Sequence, residues 1–65
     1  MSNGTMEIHC TEARVFRIAI SEHDHREPKE IIMQWFLKAR ETGGAWMSET
    51  CFIPISQVVE IFWSE

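Results

Sequence analysis

Apolar residues recur at helical spacing in the middle of the chain, between Pro28 and Thr42. At about 100° per residue, these positions fall in one stripe roughly 140° wide. The residues of the stripe are Ile31, Ile32, Trp35, Phe36 and Ala39. The opposite side carries polar residues at i, i+4 spacing, namely Glu30, Gln34, Lys38 and Glu41. The pattern predicts an amphipathic helix over residues 28–42 that packs one face against a sheet.

The predicted helix has recognisable signals at both ends. Pro28 fits the first helical turn, where its missing N–H costs nothing, and Glu27 or a nearby residue is the expected N-cap. Gly43 and Gly44 predict the C-terminal end, because glycine adopts the left-handed cap conformation without strain.

Two apolar residues of the helix, Met33 and Leu37, lie outside the stripe. They are four residues apart and are therefore neighbours near the polar side. Either a second element covers them, or they form a small exposed apolar patch for a partner chain.

Before the helix, apolar and polar residues alternate with a period of two, which is typical of strands. One face of this alternation collects Met6, Ile8, Cys10, Phe16, Ile18 and Ile20. Because the parity is the same on both sides of Glu12, one long strand over residues 6–20 would also fit. The charged residues Glu12 and Arg14 interrupt the apolar face, and we therefore favour a hairpin with a turn near Glu12.

After the helix, residues 45–47 indicate a short strand, and residues 51–63 indicate two short strands joined by a bend at Ser56 and Gln57. The odd positions from 51 to 63 are apolar except Gln57, and β-branched residues dominate. A helix opened by Pro54 is the alternative for residues 54–63. Its apolar positions would follow i, i+3, i+4, i+7 spacing: Ile55, Val58, Val59 and Phe62.

The predicted fold class is α+β in the order β-β-α-β-β, a small antiparallel sheet of about four short strands with one helix packed on one face. Residues 1–65 form a single domain, and residues 1–5 are expected to be a flexible N-terminal tail. The second sheet face is left uncovered and is predicted to carry Val15, Ala19, Phe52, Val58 and Phe62. We expect self-association to bury this face, with an isologous dimer favoured.

Composition excludes several classes of function. The net charge is −4 and the six basic residues are scattered, so direct binding to nucleic acid is not expected. No apolar run approaches the roughly 20 residues of a membrane-spanning helix, and the N-terminus lacks the pattern of a signal peptide. We therefore expect a cytoplasmic protein whose two cysteines, Cys10 and Cys51, stay reduced.

Catalytic and metal-binding patterns are weak. The carboxylates of Glu22, Asp24 and Glu27 lie near His23 and His25, which suits a solvated loop better than acid–base catalysis. We expect neither an enzyme nor a cofactor. A metal-binding domain using both loop histidines and either cysteine is an alternative, although no Cys-x-x-Cys or His-x-x-x-His pair is present.

The leading hypothesis is a non-enzymatic protein–protein interaction module that self-associates and acts as a small regulator or inhibitor. Aromatic and apolar anchors carry most of the energy of such interfaces, and the predicted partner-binding residues are Met33, Leu37, Phe52, Phe62 and Trp63. An acidic inhibitor that enters the basic groove of a nucleic-acid-binding enzyme, as phages and mobile elements encode, is the alternative. Steep salt dependence of partner binding would distinguish that inhibitor from an apolar interface.

Overall fold

The computed structural model describes residues 2–65, with side chains from Gly4 onward. Its strands are β1 (Ser2–Cys10), β2 (Val15–Ser21), β3 (Gly44–Ser48), β4 (Cys51–Pro54) and β5 (Val58–Ser64), and its helix is α1 (Pro28–Thr42). Short 3-10 turns precede β2 and β5, at Thr11–Ala13 and Ile55–Gln57. The predicted α+β class is confirmed, but the described residues form five strands in two antiparallel sheets rather than about four strands in one.

The larger sheet has three strands in the order β2-β1-β5. Strands β1 and β2 form the predicted hairpin, with Met6 opposite Ile18 and Ile8 opposite Phe16. The apolar positions of the two strands therefore share one face of the sheet, as the alternation predicts.

The hairpin turns within Thr11–Ala13, where the backbone becomes left-handed. Glu12 has φ 64° and Ala13 has φ 61°, and the N–H of Cys10 donates to the carbonyl oxygen of Arg14 at 2.8 Å. Two residues with positive φ reverse the chain sharply, which excludes the single long strand.

Residues 51–63 form two strands separated by a 3-10 turn, so the predicted bend is confirmed and the helical alternative is wrong. Pro54 ends β4 opposite Gly44, a position at a strand end where proline is tolerated. The N–H of Ile55 donates to the carbonyl oxygen of Gly43 at 2.9 Å. Because the chain bends here, β4 pairs with β3 in the small sheet while β5 pairs with β1 in the large one.

A β-bulge at Val59 changes the alternation predicted for β5. Cys10 pairs with Val58 and His9 pairs with Glu60, so Val59 is the extra residue between them. Val58 consequently packs against the core, while Val59 is 61 % exposed. The expectation that Val58 lies on the uncovered sheet face is therefore wrong.

The core lies between α1 and the two sheets. Its buried cluster consists of Met6, Ile8, Cys10, Ile20, Ile31 and Ile53. Partly buried side chains packed around it include Phe16, Ile18, Ile32, Trp35, Met47, Val58, Ile61 and Trp63. All five residues of the predicted helical stripe are buried or half-buried, which confirms both the amphipathic helix and the face it packs.

Both ends of α1 follow the sequence signals. Pro28 occupies the first turn, and the N-cap Glu27 makes no side-chain capping bond. Gly43 caps the C-terminus with φ 85°, and the hydroxyl of Thr42 donates to the carbonyl oxygen of Gly44 at 2.7 Å. Among the described residues, no helix has the length and apolar character needed to cross a membrane.

Strand β1 begins earlier than the sequence predicts. Residues 2–5, expected in the flexible tail, form its first part, and Met1 lies outside the described residues. Gly4 pairs with Ile20 and has φ +146°, and a Cβ there would lie 2.7 Å from the ring of Trp63. Pairing with β2 extends the strand beyond the point where the alternation starts, and Trp63 packs closely over Gly4.

Candidate interaction surfaces

Large apolar side chains remain exposed on several sides of the domain. They are Val15, Met33, Leu37, Trp46, Phe52, Val59 and Phe62. Single exposed apolar residues are normal on protein surfaces, whereas grouped ones mark interaction sites. Two groups line grooves against α1.

The first groove, called here the β5 groove, lies between α1 and β5 and has a volume of about 480 Å³. Its helix wall consists of Lys29, Ile32, Met33 and Phe36, and its strand wall consists of Val58, Val59, Glu60 and Ile61. Met33 is 56 % exposed and Val59 is 61 % exposed. The groove is therefore mainly apolar, with Lys29 as the cation on its helix wall, whereas Glu60 pairs with His9 and directs its side chain to the opposite face of the sheet.

Strand β5 borders this groove with an edge that no described strand pairs. It is the last strand in the order β2-β1-β5, and β1 is its partner on the other side. An edge strand presents a row of backbone N–H and C=O groups that can pair with another strand. The β5 groove thus combines apolar side chains with a free strand edge.

The second groove, called here the Trp46 groove, lies beside the C-terminal half of α1 and has a volume of about 450 Å³. It is lined by Trp35, Lys38, Ala39, Thr42, Gly44, Ala45, Trp46 and Phe52. The rings of Trp46 and Phe52 meet edge to face, with centroids 5.2 Å apart. Trp46 is 68 % exposed, which is unusual because tryptophan is a large apolar side chain that is highly buried on average.

The uncovered face of the three-stranded sheet is more polar than predicted. Phe62 and Val15 lie there partly exposed, but the face also carries a charged network. Glu7 lies 3.3 Å from His9 and 3.8 Å from Arg17, and the His9 ring meets the Phe62 ring at 4.7 Å. Polar side chains keep this face compatible with water, so the composition of the face does not favour a dimer that buries it.

The predicted partner-binding residues do not form one surface. Met33 lines the β5 groove and Phe52 lines the Trp46 groove. Leu37 is exposed on α1 and Phe62 is exposed on the outer sheet face. Trp63 packs partly buried against the core. Their role in binding stays a prediction. The exposure of Met33 and Leu37 favours an uncovered apolar patch over the interpretation that a second element covers them.

Sequence reasoning missed two residues that the structure places in the grooves, Trp46 and Val59. The sequence did hold a signal for Trp46, because its neighbours Ala45 and Met47 on β3 point to the opposite face. Met47 packs against the core, so Trp46 points away from it. The exposure of Val59 depends on the bulge, which has no signature in this segment.

The potential metal ligands are dispersed. Cys10 is buried and Cys51 is half-buried, with both thiols free, and burial raises the pKa of the Cys10 thiol. His23 has a side chain 88 % exposed in the loop before α1. The described residues contain no group of three or more histidine, cysteine, aspartate or glutamate side chains placed to hold a metal ion.

Acidic side chains are spread over the described surface rather than gathered on one side. Glu7 is engaged with His9 and Arg17, while Glu30 and Glu41 are exposed on α1. This arrangement adds nothing to the acidic-inhibitor hypothesis, which stays a prediction.

The loop before α1 is held by an ion pair between Arg26 and Asp24. The guanidinium donates to both carboxylate oxygens, at 2.9 Å from Nε and 2.5 Å from a terminal nitrogen, and it also donates to Gln34 on α1. Hydrogen bonds from the Arg26 side chain hold the pKa of the Asp24 carboxyl at about 2. A carboxylate held in this way anchors the loop to the helix and is a poor general base.

We expect Arg26→Ala to raise the pKa of Asp24 from about 2 part of the way toward its ordinary value of 3.8, because the side-chain hydrogen bonds are lost while the backbone N–H of residue 26 still donates to the carboxylate. Because the pKa of Asp24 is lower in the folded chain than in the unfolded chain, its carboxylate stabilises the fold above pH 3.8. This contribution is lost as the pH falls from 3.8 to 2. The wild type should therefore lose stability over this interval through Asp24, and Arg26→Ala should lose less. An NMR titration of the side-chain carboxyl measures the midpoint.

Lys29→Ala is the matched control, because it removes a nearby cation that makes no contact with Asp24 among the described ion pairs. It should leave the Asp24 midpoint near 2. An unchanged midpoint in Arg26→Ala would show that the ion pair does not set this pKa.

The fold and its exposed surface define a small α+β domain that carries two apolar grooves, one of them beside a free strand edge. Comparison with family models, curated proteins and solved structures finds no match to this chain. Function is therefore inferred from the geometry and chemistry of these surfaces.

Proposed function

We propose that this domain is a non-enzymatic protein–protein interaction module that self-associates and acts as a small regulator or inhibitor of another protein. The observation that supports it most is the large apolar surface exposed on so small a domain. Met33, Trp46 and Val59 are each more than half exposed, and all three line grooves. Grouped apolar exposure of this kind favours a surface that another protein covers.

The size of the domain is consistent with self-association. Its accessible surface is 4795 Å², and a stable interface takes roughly 800 Å² from each partner, about one sixth of that surface. A chain of 65 residues has a small core for its surface. Burying one apolar side in a dimer therefore adds a stabilising contribution that the isolated fold lacks.

The two grooves support a division between self-association and regulation. The β5 groove and the Trp46 groove share no lining residue. A dimer that covers one groove leaves the other free. We assign self-association to the β5 groove, and we assign the contact with the regulated protein to the Trp46 groove, whose exposed indole is of the type that anchors interfaces.

We expect the mass in solution to rise with concentration from 7.6 kDa toward twice that value. Exposed apolar surface is buried by association, so the dimer gains the free energy of removing that surface from water. Light scattering and sedimentation over micromolar to millimolar concentrations measure this rise. A mass that stays at that of one chain throughout would contradict self-association.

A further inference from the structure

We propose that Cys10 and Cys51 form a redox clamp, an intramolecular disulfide that joins the two sheets when the protein meets an oxidant such as glutathione disulfide. This inference goes beyond the proposed function and depends on neither groove. Cys10 ends β1, the central strand of the large sheet, and Cys51 begins β4 of the small sheet. They are the only two cysteines of the chain, and both thiols are free.

Both cysteines face the core that lies between the two sheets. Cys10 belongs to the buried cluster, and Ile53 of β4 belongs to the same cluster. Side chains two residues apart on a strand point to the same side, so Cys51 faces the core together with Ile53. Its half-buried position agrees with this, whereas Phe52 between them is exposed. Each thiol therefore points from its own sheet into the same interior.

The titration of Cys10 is consistent with a short separation between the two sulfur atoms. Burial raises the pKa of the Cys10 thiol, Arg14 lowers it, and Cys51 raises it again through the repulsion of a second thiolate. The interaction between two charges weakens with distance. The two sulfur atoms therefore lie within electrostatic reach of each other across the core.

Strand β4 is the element that adjusts when the clamp closes. Cys51 follows directly after the turn at residues 49–50, and the pairing of β3 with β4 is already irregular between Trp46 and Ser48. A two-stranded sheet is also less stable than a three-stranded one. The end of β4 can therefore adopt the Cα separation of about 4.4 to 6.8 Å that a disulfide requires, while β1 stays fixed between its two neighbours.

Exposure sets the order of the two exchange steps. Cys51 is half-buried and Cys10 is buried, so the Cys51 thiolate attacks glutathione disulfide first, breaks its S–S bond and releases one glutathione thiolate. The Cys10 thiolate then attacks the Cys51 sulfur, and the second glutathione leaves. The two protein thiols are oxidised to one disulfide, and one glutathione disulfide is reduced to two glutathione thiols, which take up the two protons that the cysteines release.

The first test measures the effective concentration of one thiol at the other. Wild-type protein at low micromolar concentration is equilibrated in mixtures of reduced and oxidised glutathione, quenched with acid, and weighed by mass spectrometry. The oxidised chain is lighter by two hydrogen atoms. The effective concentration should be at least about tenfold higher in the folded chain than in urea, because the fold holds together two thiols that are far apart in the sequence.

Thermal unfolding and hydrogen exchange measure the effect of the closed clamp. A tenfold ratio corresponds to a Tm about 5 to 10 °C higher in the oxidised than in the reduced protein, since a disulfide stabilises the fold by this ratio. Amides of residues 44–54 should exchange more slowly after oxidation, because the small sheet opens less often once it is joined to β1.

Two single variants are the matched controls. Cys51→Ser should keep Cys10 as a free thiol in the oxidising buffer, since the remaining cysteine is buried, and its Tm should not change on oxidation. Cys10→Ala should retain glutathione on Cys51, because no second thiol displaces it. Circular dichroism verifies that each variant is folded, and Cys51→Ser alone is a sufficient control if Cys10→Ala does not fold.

The clamp is overturned by a ratio below tenfold between the folded chain and the chain in urea. It is also overturned if wild-type Cys51 retains glutathione without displacement by Cys10, or if the disulfides that form join two chains. An oxidised wild type with an unchanged Tm and unchanged exchange over residues 44–54 likewise contradicts it.

Discussion

Replacing Ile8 by alanine is expected to lower the free energy of unfolding by about 3 to 5 kcal/mol. Ile8 is fully buried, with 0 % exposed, and lies on the central strand between Phe16 on β2 and Ile61 on β5. Strands on both sides prevent the sheet from collapsing into the cavity, which places the cost in the upper part of the usual range.

Such a loss is a large part of the stability of the domain. Proteins have roughly 0.05 to 0.15 kcal/mol of stability per residue, which gives about 3 to 10 kcal/mol for a chain of this length. Urea unfolding measures the difference, and it should be performed well below the dimer Kd because association adds apparent stability.

Val15→Ala is the matched control for Ile8→Ala. Val15 is an apolar strand residue of the same hairpin, but it is 37 % exposed on the edge strand. Its truncation should cost less than about 1 kcal/mol, since little buried contact is lost. Equal losses at the two positions would show that burial on β1 is not what stabilises this sheet.

Gly44→Ala is expected to lower the free energy of unfolding by about 3 kcal/mol. A Cβ at Gly44 would lie 2.2 Å from the carbonyl oxygen of Ile53 and 2.6 Å from the ring of Phe52. The carbonyl belongs to the backbone of the paired strand β4, so β3 and β4 must separate to admit the methyl group. The Phe52 ring must also move, which alters the Trp46 groove.

The adjacent Gly43 separates steric overlap from backbone strain. A Cβ at Gly43 would meet no atom within 4 Å, but φ is +85°. Gly43→Ala should therefore cost only the left-handed conformation, about 1 to 2 kcal/mol. Thermal unfolding of the two variants side by side measures the difference, and a smaller loss for Gly44→Ala than for Gly43→Ala would contradict the close approach of β3 and β4.

The candidate surfaces illustrate why position along the chain does not predict a site. Met33 and Val59 are 26 residues apart, yet both line the β5 groove. Phe52 and Trp46 meet because β3 and β4 pair. Trp63, an attractive interface candidate by residue type, packs partly buried against the core instead.

Local pattern by itself determined the helix, and it favoured the hairpin and the bend near Ser56 and Gln57 without excluding one long strand over residues 6–20 or a helix over residues 54–63. Helical periodicity with Pro28 and Gly43 at the ends sets the bounds of α1, because these signals act over one or two turns of chain. The shared parity of β1 and β2 likewise identifies the buried face of the hairpin, since every second side chain points the same way.

Only the tertiary structure decided how the strands divide into two sheets and which apolar side chains remain in water. The pairing of β5 with β1 joins residues about 50 positions apart, and the bulge at Val59 follows from that pairing. Burial depends on contacts between segments that are distant in the sequence. A hydrophobic pattern therefore predicts which side chains are apolar on one face of an element, but not which of them another segment buries. Met33, Trp46 and Val59 are apolar but remain exposed, and periodicity alone does not predict the surfaces that they form.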